Sequence, residues 1–167
     1  MRATVRNCEF ADLLASLAIF NELIPTTTVA WCDEPFTMEM RGVWFERQQE
    51  RGYPVLVAEA AGEIVGVASY GDFRNTPQFE GYRFTVEHSI HVRGDQRGNG
   101  VGRVLLDALI DRARAANVHV MVGGIDGDNQ DSIRFHERMG FVEVARMPET
   151  GFKFGRWLDL VLMQRIL

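Results

Sequence analysis

The sequence predicts a mixed α/β fold, in which a central, mostly antiparallel sheet of about seven strands is flanked by helices on both faces. Apolar runs rich in β-branched residues alternate with segments whose apolar residues recur at helical spacing. The first strands follow one another through short turns, as in hairpins, and a strand–helix–strand unit comes later, as in parallel crossovers. The length of 167 residues suits a single domain that covers residues 1–167.

Four segments have apolar residues at the spacing of an amphipathic helix. In the clearest, residues 101–116, the side chains of Leu105, Leu109 and Ala113 continue one apolar stripe. A second helix is expected to begin at Thr37, a residue type that favours the N-cap position. The predicted helices other than the clearest cover residues 12–23, 37–51 and 132–139.

Seven shorter segments are rich in β-branched and aromatic residues and predict strands. Residues 61–63, Ala-Gly-Glu, suit a tight turn between two of these strands. Residues 71–81 combine Gly, Asp, Asn and Pro and predict a surface loop. The predicted strands cover residues 3–6, 55–60, 64–70, 84–92, 118–125, 141–145 and 157–163.

The composition is that of an ordinary globular protein, with 46% hydrophobic and 25% charged residues. A formal net charge of -5 argues against a nucleic-acid partner, and no apolar run reaches the roughly 18 residues that suggest a membrane span. The first residues lack the apolar stretch of a signal peptide. Cys8 and Cys32 lie outside any CxxC pair, so we expect free thiols and a cytoplasmic protein. The four histidines lack metal-ligand spacing, so we expect no metal.

A glycine-rich loop joins the fourth predicted strand to the clearest helix. Gly98, Gly100 and Gly102 leave its backbone uncovered, and the helix N-terminus offers N–H groups that favour an anion. Arg97 and Arg103 add positive charge, so the loop predicts a diphosphate site. It lacks the Gly-Lys-Ser/Thr end of a Walker A loop and the GxGxxG spacing of a dinucleotide site. On the loop alone, a glycine-rich turn without a ligand remains the alternative.

Residues 97–102, Arg-Gly-Asn-Gly-Val-Gly, resemble the Arg/Gln-x-x-Gly-x-Gly/Ala signature of the GCN5-related N-acetyltransferases. Residues 129–141, which end in Gly-Phe, resemble the second cofactor element of that family, and the predicted order of elements is similar to the family's order. Residues 71–74, 85–89 and 153–160 resemble the subgroup of phosphinothricin and methionine sulfoximine acetyltransferases. The resemblance therefore extends over most of the chain.

The resemblance implies the family fold and acetyl-CoA as cosubstrate. It implies that the backbone of Ile90, His91 and Val92 pairs with the pantetheine arm, and that an N–H near Val92 stabilises the oxyanion. Asn129 would contact the cofactor arm, although an Asn here also suits a plain helix cap. The loop residues that would hold the pyrophosphate are Arg97, Gly98, Asn99, Gly100, Val101, Gly102 and Arg103.

Acetylation of an amine requires a group that removes the ammonium proton. Glu87 is the first candidate, because a carboxylate on an otherwise apolar strand is costly unless it is paired or functional. A solvent-facing strand residue is the alternative. His136 stands where many relatives place a Tyr that protonates the CoA thiolate, so it could act as acid or base. A packed histidine on a short helix is the alternative.

The resemblance implies direct transfer to the amine of a small amino-acid-like substrate of the phosphinothricin, methionine sulfoximine or methionine sulfone type. Arg74 could bind a carboxylate or a phosphinate through two hydrogen bonds, and a solvated loop arginine is the alternative. Rival acceptors are a polyamine, an aminoglycoside or a protein N-terminus, and a non-catalytic acyl-CoA sensor is a further alternative. Relatives are commonly homodimers, and the aromatic residues Phe152, Phe154 and Trp157 could form such a surface. The expected substrate-binding residues are Arg74, Asn75, Thr76, Glu87, His88 and Ser89.

Overall fold

The computed structural model describes residues 3–74 and 79–167 of the chain. In these residues seven strands form one sheet in the order β1-β2-β3-β4-β5-β7-β6, and every neighbouring pair is antiparallel except β4 with β5. The strands are β1 (Thr4–Asn7), β2 (Val55–Ala60), β3 (Glu63–Asp72), β4 (Thr85–Val92), β5 (Val120–Asp126), β6 (Val142–Lys153) and β7 (Arg156–Ile166). The α-helices are α1 (Leu13–Leu23), α2 (Met38–Glu50), α3 (Val101–Ala115) and α4 (Gln130–Arg138). The predicted fold class and order of elements are confirmed.

The two faces of the sheet are covered by different helices. Along β2, Val55 and Val57 point to one face and pack with Leu13 of α1 and Phe45 of α2. The alternate residues, such as Leu56, point to the other face and pack with the apolar stripe of α3. The face under α1 and α2 carries Glu87 and Ser89, two of the residues expected to bind the amine acceptor, and is called the acceptor face below. The face under α3 and α4 is called the α3 face.

Several element boundaries differ from the prediction, most of all the end of β6. β6 continues to Lys153, eight residues beyond the predicted end at Ala145, because β7 pairs with it across shifts in register. Its charged residues and Pro148 break the apolar alternation, which an edge strand tolerates. β3 likewise continues to Asp72, into the predicted loop, and pairs with β4 there.

The parallel pair of β4 and β5 opens into a gap. The ladder joins Thr85–Glu87 to Val120–Val122 and goes no further in these two described strands. Beyond it, β4 runs on to Val92 and β5 to Asp126, each paired only with its other neighbour. The loop after β4 leads directly into α3. The gap therefore has the glycine-rich loop at one end. Within the described part of the chain, the helices are all too short or too polar to cross a membrane.

Candidate active site

The edge of β4 that faces the gap presents backbone groups that pair with neither β3 nor β5. The N–H of Arg93 donates to the carbonyl of Val65 at 3.0 Å, so Val92 lies at a ladder position that makes no direct hydrogen bond to β3. The N–H and C=O of Val92, and by the same alternation those of Ile90, point into the gap. The backbone of His91 faces β3 instead. Only two of the three residues expected to pair with a pantetheine arm thus present their backbone to it.

The glycine-rich loop forms an open cradle at the N-terminus of α3. Gly98 and Gly100 have φ angles of +77° and +81°, and a Cβ on either would meet open space. Gly100 is the N-cap of the 15-residue helix α3. Uncovered N–H groups at the start of a long helix form a site for an anion.

The side chains around this cradle have different surroundings. Arg97 is exposed and its Nε donates to the Val92 carbonyl at 3.3 Å, which fixes the start of the loop against β4. Arg103 is exposed and lies 3.6 Å from Asp107. Asn99 is exposed, but Val101 is buried, so Val101 offers only its backbone to a ligand.

Gly102 and Asn129 belong to the same end of the gap. A Cβ on Gly102 would lie 3.5 Å from the ring of Phe135, an ordinary van der Waals distance, so Gly102 lies at the contact between α3 and α4. The side-chain oxygen of Asn129 accepts a hydrogen bond from the N–H of Ser132 at 3.1 Å. Asn129 is therefore the N-cap of α4, at the point where β5 ends and the chain turns.

Glu87 lies on the acceptor face at the point where β4 and β5 separate. It pairs with Gly71 of β3, which lies beneath Gln48 of α2. A Cβ on Gly124 of β5 would lie 3.2 Å from Glu87 Oε1, so Gly124 leaves room for the carboxylate. Although the side chain is still exposed, desolvation by these surroundings raises the pKa of Glu87 above its ordinary value. Ser89 shares this face, 3.3 Å from the hydroxyl of Ser69.

His88 does not share the wall of Glu87 and Ser89, which corrects the expectation that the three residues lie side by side. Successive strand residues point to opposite faces, and His88 points to the α3 face, where only 7% of it is exposed. Its ring stacks on His136 with centroids 5.1 Å apart and contacts Phe141 edge-on. Burial lowers the pKa of His88 to about 3, so the ring is neutral at neutral pH.

His136 is 3% exposed and also lies on the α3 face, opposite Glu87. Its Nδ1 lies 2.7 Å from the carbonyl oxygen of Ser132, which accepts the Nδ1 hydrogen of a neutral ring. Nε2 is left as an acceptor, buried without a hydrogen-bond partner among the described residues. Burial lowers the pKa of His136 as well. A Cβ on Gly123 would lie 2.9 Å from His88 Nε2, so this glycine makes room for the histidine pair.

The chain between α1 and α2 covers the acceptor face of the gap. Thr28 donates a hydrogen bond from its hydroxyl to Asp126, the buried last residue of β5. On the β4 side, Phe20 of α1 packs against His91, with ring centroids 5.1 Å apart. Phe36 packs on Phe20 in turn. This connection therefore contacts β5 directly and β4 through Phe20 of α1. The sequence interpretation missed Thr28 and Asp126, since nothing in their spacing relates them.

Arg74 lies two residues beyond the end of β3, at the end of the sheet where β4 begins. Glu87 marks this end of the gap, and the glycine-rich loop lies at the other end. The guanidinium of Arg74 is 5.6 Å from the ring centroid of Phe73 and 5.9 Å from that of Tyr82. Among residues 3–74 and 79–167, no carboxylate forms an ion pair with Arg74. Asn75 and Thr76, the other two expected substrate contacts in this loop, lie outside the described residues.

Comparison with known proteins agrees with this arrangement. The model of the acetyltransferase (GNAT) family matches residues 16–141, about three quarters of the chain. The chain belongs to the GNAT acetyltransferase family. The matched range includes the loop, the gap and both helices that border them. Acetyl-CoA is the acyl donor of this acetyltransferase, and the open cradle and the gap-facing backbone groups of Ile90 and Val92 are compatible with its pyrophosphate and pantetheine arm.

Individual relatives are similar over nearly the whole chain. An L-methionine sulfoximine/L-methionine sulfone acetyltransferase of Pseudomonas aeruginosa is 52% identical over 165 residues, which cover 98% of this chain and 94% of that protein. A solved acetyltransferase from Salmonella typhimurium, with its cofactor acetyl-CoA, is 46% identical with a TM-score of 0.93, covering 99% and 94% of the two chains. A phosphinothricin acetyltransferase from Sinorhizobium meliloti, solved in complex with acetyl-CoA, is 36% identical with a TM-score of 0.94, covering 100% and 89%.

Proposed function

We propose that this acetyltransferase acetylates the α-amine of a small amino acid, of the methionine sulfone, methionine sulfoximine or phosphinothricin type, by direct transfer. One observation carries the proposal. The gap between β4 and β5 offers a donor cradle at one end and a partly desolvated carboxylate, Glu87, at the point where the strands separate. Two of the relatives named above supply the substrate class, since their names refer to amino acids whose side chains carry sulfur or phosphorus.

The donor supplies an activated acetyl group, and the chain holds it through backbone groups. We assign the pyrophosphate to the N–H groups from Gly98 to Arg103, with the guanidinium of Arg97 beside them. The gap-facing backbone of Ile90 and Val92 is suited to the amide-rich arm. The N–H of Val92 is also placed to stabilise negative charge on the reacting carbonyl oxygen. Asn129 caps α4 where that arm would enter.

Glu87 is the better candidate for the base that removes the ammonium proton. Its raised pKa makes it a stronger proton acceptor than an ordinary carboxylate, and it remains open to the acceptor face. His136 faces the other side of the sheet, and its Nδ1 hydrogen is committed to the carbonyl of Ser132. A neutral His136 has no Nε2 proton to give to a thiolate. We therefore assign the histidine pair to packing and Glu87 to proton transfer.

Arg74 is the candidate anchor for the acceptor's carboxylate. Gly71 pairs with Glu87, so Arg74 begins three residues, roughly 10 Å, further along the same end of the sheet. A guanidinium that extends back toward Glu87 could bind the carboxylate of an amino acid whose amine lies at Glu87, since both groups are bonded to one carbon. A polyamine lacks the anion that Arg74 would bind, which favours an amino acid over a polyamine as acceptor.

A panel of acceptors tests the function. We expect thiol release from acetyl-CoA with methionine sulfone, methionine sulfoximine or phosphinothricin, and kcat/KM at least roughly tenfold lower with spermidine, an aminoglycoside or a peptide amine. Preferential turnover of spermidine, the aminoglycoside or the peptide would refute the proposed acceptor. Tight binding of acetyl-CoA with no turnover of any amine would instead identify an acyl-CoA sensor. Arg74→Ala should raise the KM of the amino acid and leave acetyl-CoA affinity unchanged.

We also infer a homodimer that forms through the β6–β7 hairpin. Phe152, Phe154 and Trp157 are 56%, 56% and 60% exposed, and together they form an apolar patch at the hairpin tip. A cytoplasmic location and a single domain over residues 1–167 remain predictions. The free thiols of Cys8 and Cys32 support a reducing compartment.

A further inference from the structure

Lys153, the last residue of β6, is a buried cation beside the acceptor face. Only 2% of the residue is exposed. Its Nζ donates to the carbonyl oxygens of Ile24 at 2.7 Å, Thr27 at 3.0 Å and Ala30 at 2.6 Å. All three ammonium hydrogens are used, so three hydrogen bonds tie the β6–β7 hairpin to residues 24–30.

The choice of lysine at this position is specific. The sequence contains 18 basic residues, and Lys153 is the one lysine among them. A compact ammonium directs three hydrogens around a point, whereas the flat guanidinium of Arg cannot serve three converging carbonyls in the same way. Ile24 is also the C-cap of α1, where the negative end of the helix dipole stabilises a cation.

The segment that Lys153 holds reaches the site directly. Thr28, between two of the bonded carbonyls, donates to Asp126 at the end of β5. The indole Nε1 of Trp31 donates to the carbonyl of Thr28 at 3.0 Å. The Trp31 ring fills the space above Gly151 in β6. Through Trp31 and Thr28, the chain between α1 and α2 thus connects the β6–β7 hairpin to β5.

We propose that Lys153 is a positioning residue for the acceptor side of this acetyltransferase. By holding residues 24–30 it places Thr28 against Asp126 and fixes the wall under which the amino acid binds. Lys153 contacts neither substrate, so it acts through the segment. The inference rests on the proposed function, which puts the acceptor on this face.

Kinetics of the full-length protein separate positioning from a merely structural role. Lys153→Met keeps a long apolar stem but cannot donate, so we expect the acceptor KM to rise roughly tenfold or more. The kcat and the acetyl-CoA Kd should stay within about threefold, because the donor cradle lies elsewhere. Lys153→Arg, which keeps the charge but not the three-way geometry, should show an intermediate KM. Arg114→Met, an exposed cation at the far end of α3, is the matched control and should leave all three constants unchanged.

The single lysine also provides a spectroscopic probe. Protein labelled with isotope-enriched lysine should give one side-chain ammonium signal that exchanges slowly with water, and saturating acceptor should shift it. A rapidly exchanging signal would overturn the hydrogen-bonded arrangement. This readout does not depend on turnover, so it distinguishes failure of the positioning role from failure of the proposed function, which the panel of acceptors tests with the unmodified protein.

The remaining outcomes are also decisive. A lower melting temperature for folded Lys153→Met, with unchanged acceptor KM, would reduce Lys153 to a structural residue and overturn the proposal. If Lys153→Met does not fold, Thr28→Val takes its place, since it breaks the contact with Asp126 and leaves the lysine intact. We expect Thr28→Val to raise the acceptor KM roughly threefold or more. An unchanged KM in that variant would overturn the proposal equally.

Discussion

The contact between Gly151 and Trp31 predicts the cost of adding one methyl group. A Cβ on Gly151 would lie 2.3, 2.4 and 2.8 Å from three ring carbons of Trp31. Carbon atoms in contact normally lie about 3.5 to 4.0 Å apart, so the ring must retreat by at least about 1.2 Å in Gly151→Ala. That movement also lengthens the 3.0 Å hydrogen bond from the indole to Thr28.

These terms give a net destabilisation of about 2 kcal/mol. Overpacking costs about 1–3 kcal/mol, and the weakened hydrogen bond adds about 1 kcal/mol. Replacing a strand glycine by alanine returns about 0.5–1 kcal/mol. For a chain of this size, we expect the melting temperature to fall by about 4–8 °C. Because Trp31 bonds to Thr28, the acceptor KM should rise as well.

Scanning calorimetry of four variants tests this estimate. Gly42→Ala is the matched control, because a Cβ on Gly42 in α2 meets open space and should stabilise by about 0.5–1 kcal/mol. In a Trp31→Ala background, Gly151→Ala should stabilise by about 0.5–1 kcal/mol, so the double-mutant cycle should give a coupling of about 3 kcal/mol. A Gly151→Ala protein as stable as the wild type, with no coupling to Trp31, would refute the predicted steric conflict.

Three further perturbations test the donor site, the chemistry and the assembly. Gly100→Val should weaken acetyl-CoA binding roughly tenfold or more in calorimetry, whereas Gly62→Val, with a similar positive φ in the β2–β3 turn, should not. Glu87→Gln should slow single-turnover transfer about 10²–10⁴-fold. The wild-type rate should fall as the pH drops through the raised Glu87 pKa, and normal rates in the variant would exclude this base. Trp157→Glu should convert a species of twice 18.9 kDa into the monomer in sedimentation, and a monomeric wild type would contradict the dimer.

The fold could be predicted because its elements carry local signals. The stripe of α3, the Thr37 cap of α2 and the apolar strands from β2 to β5 each follow from spacing or from a capping preference. β6 beyond Ala145 could not be predicted in this way. Its pairing depends on β7, and its own exposed residues carry no apolar alternation.

The candidate site was predictable only in part, because its residues come together through the sheet and not through their spacing. The loop from Gly98 to Gly102 has a local glycine signal, and Glu87 stands out as a charge on an apolar strand. The opposite direction of His88 follows from strand alternation, which the sequence contains but which the grouping of residues 87–89 ignored. The bonds of Lys153 to Ile24 and Ala30 cross more than 120 positions of sequence and leave no local pattern.

The alternation of side chains along β4 between the two faces of the sheet has a consequence for how such enzymes diversify. Glu87 and Ser89 belong to the acceptor face, whereas His88 belongs to the packed α3 face. In the proposed arrangement, donor recognition depends chiefly on main-chain groups, which most substitutions leave unaltered. A lineage can therefore exchange one amine substrate for another through changes on one side of a strand, while its use of acetyl-CoA is inherited intact.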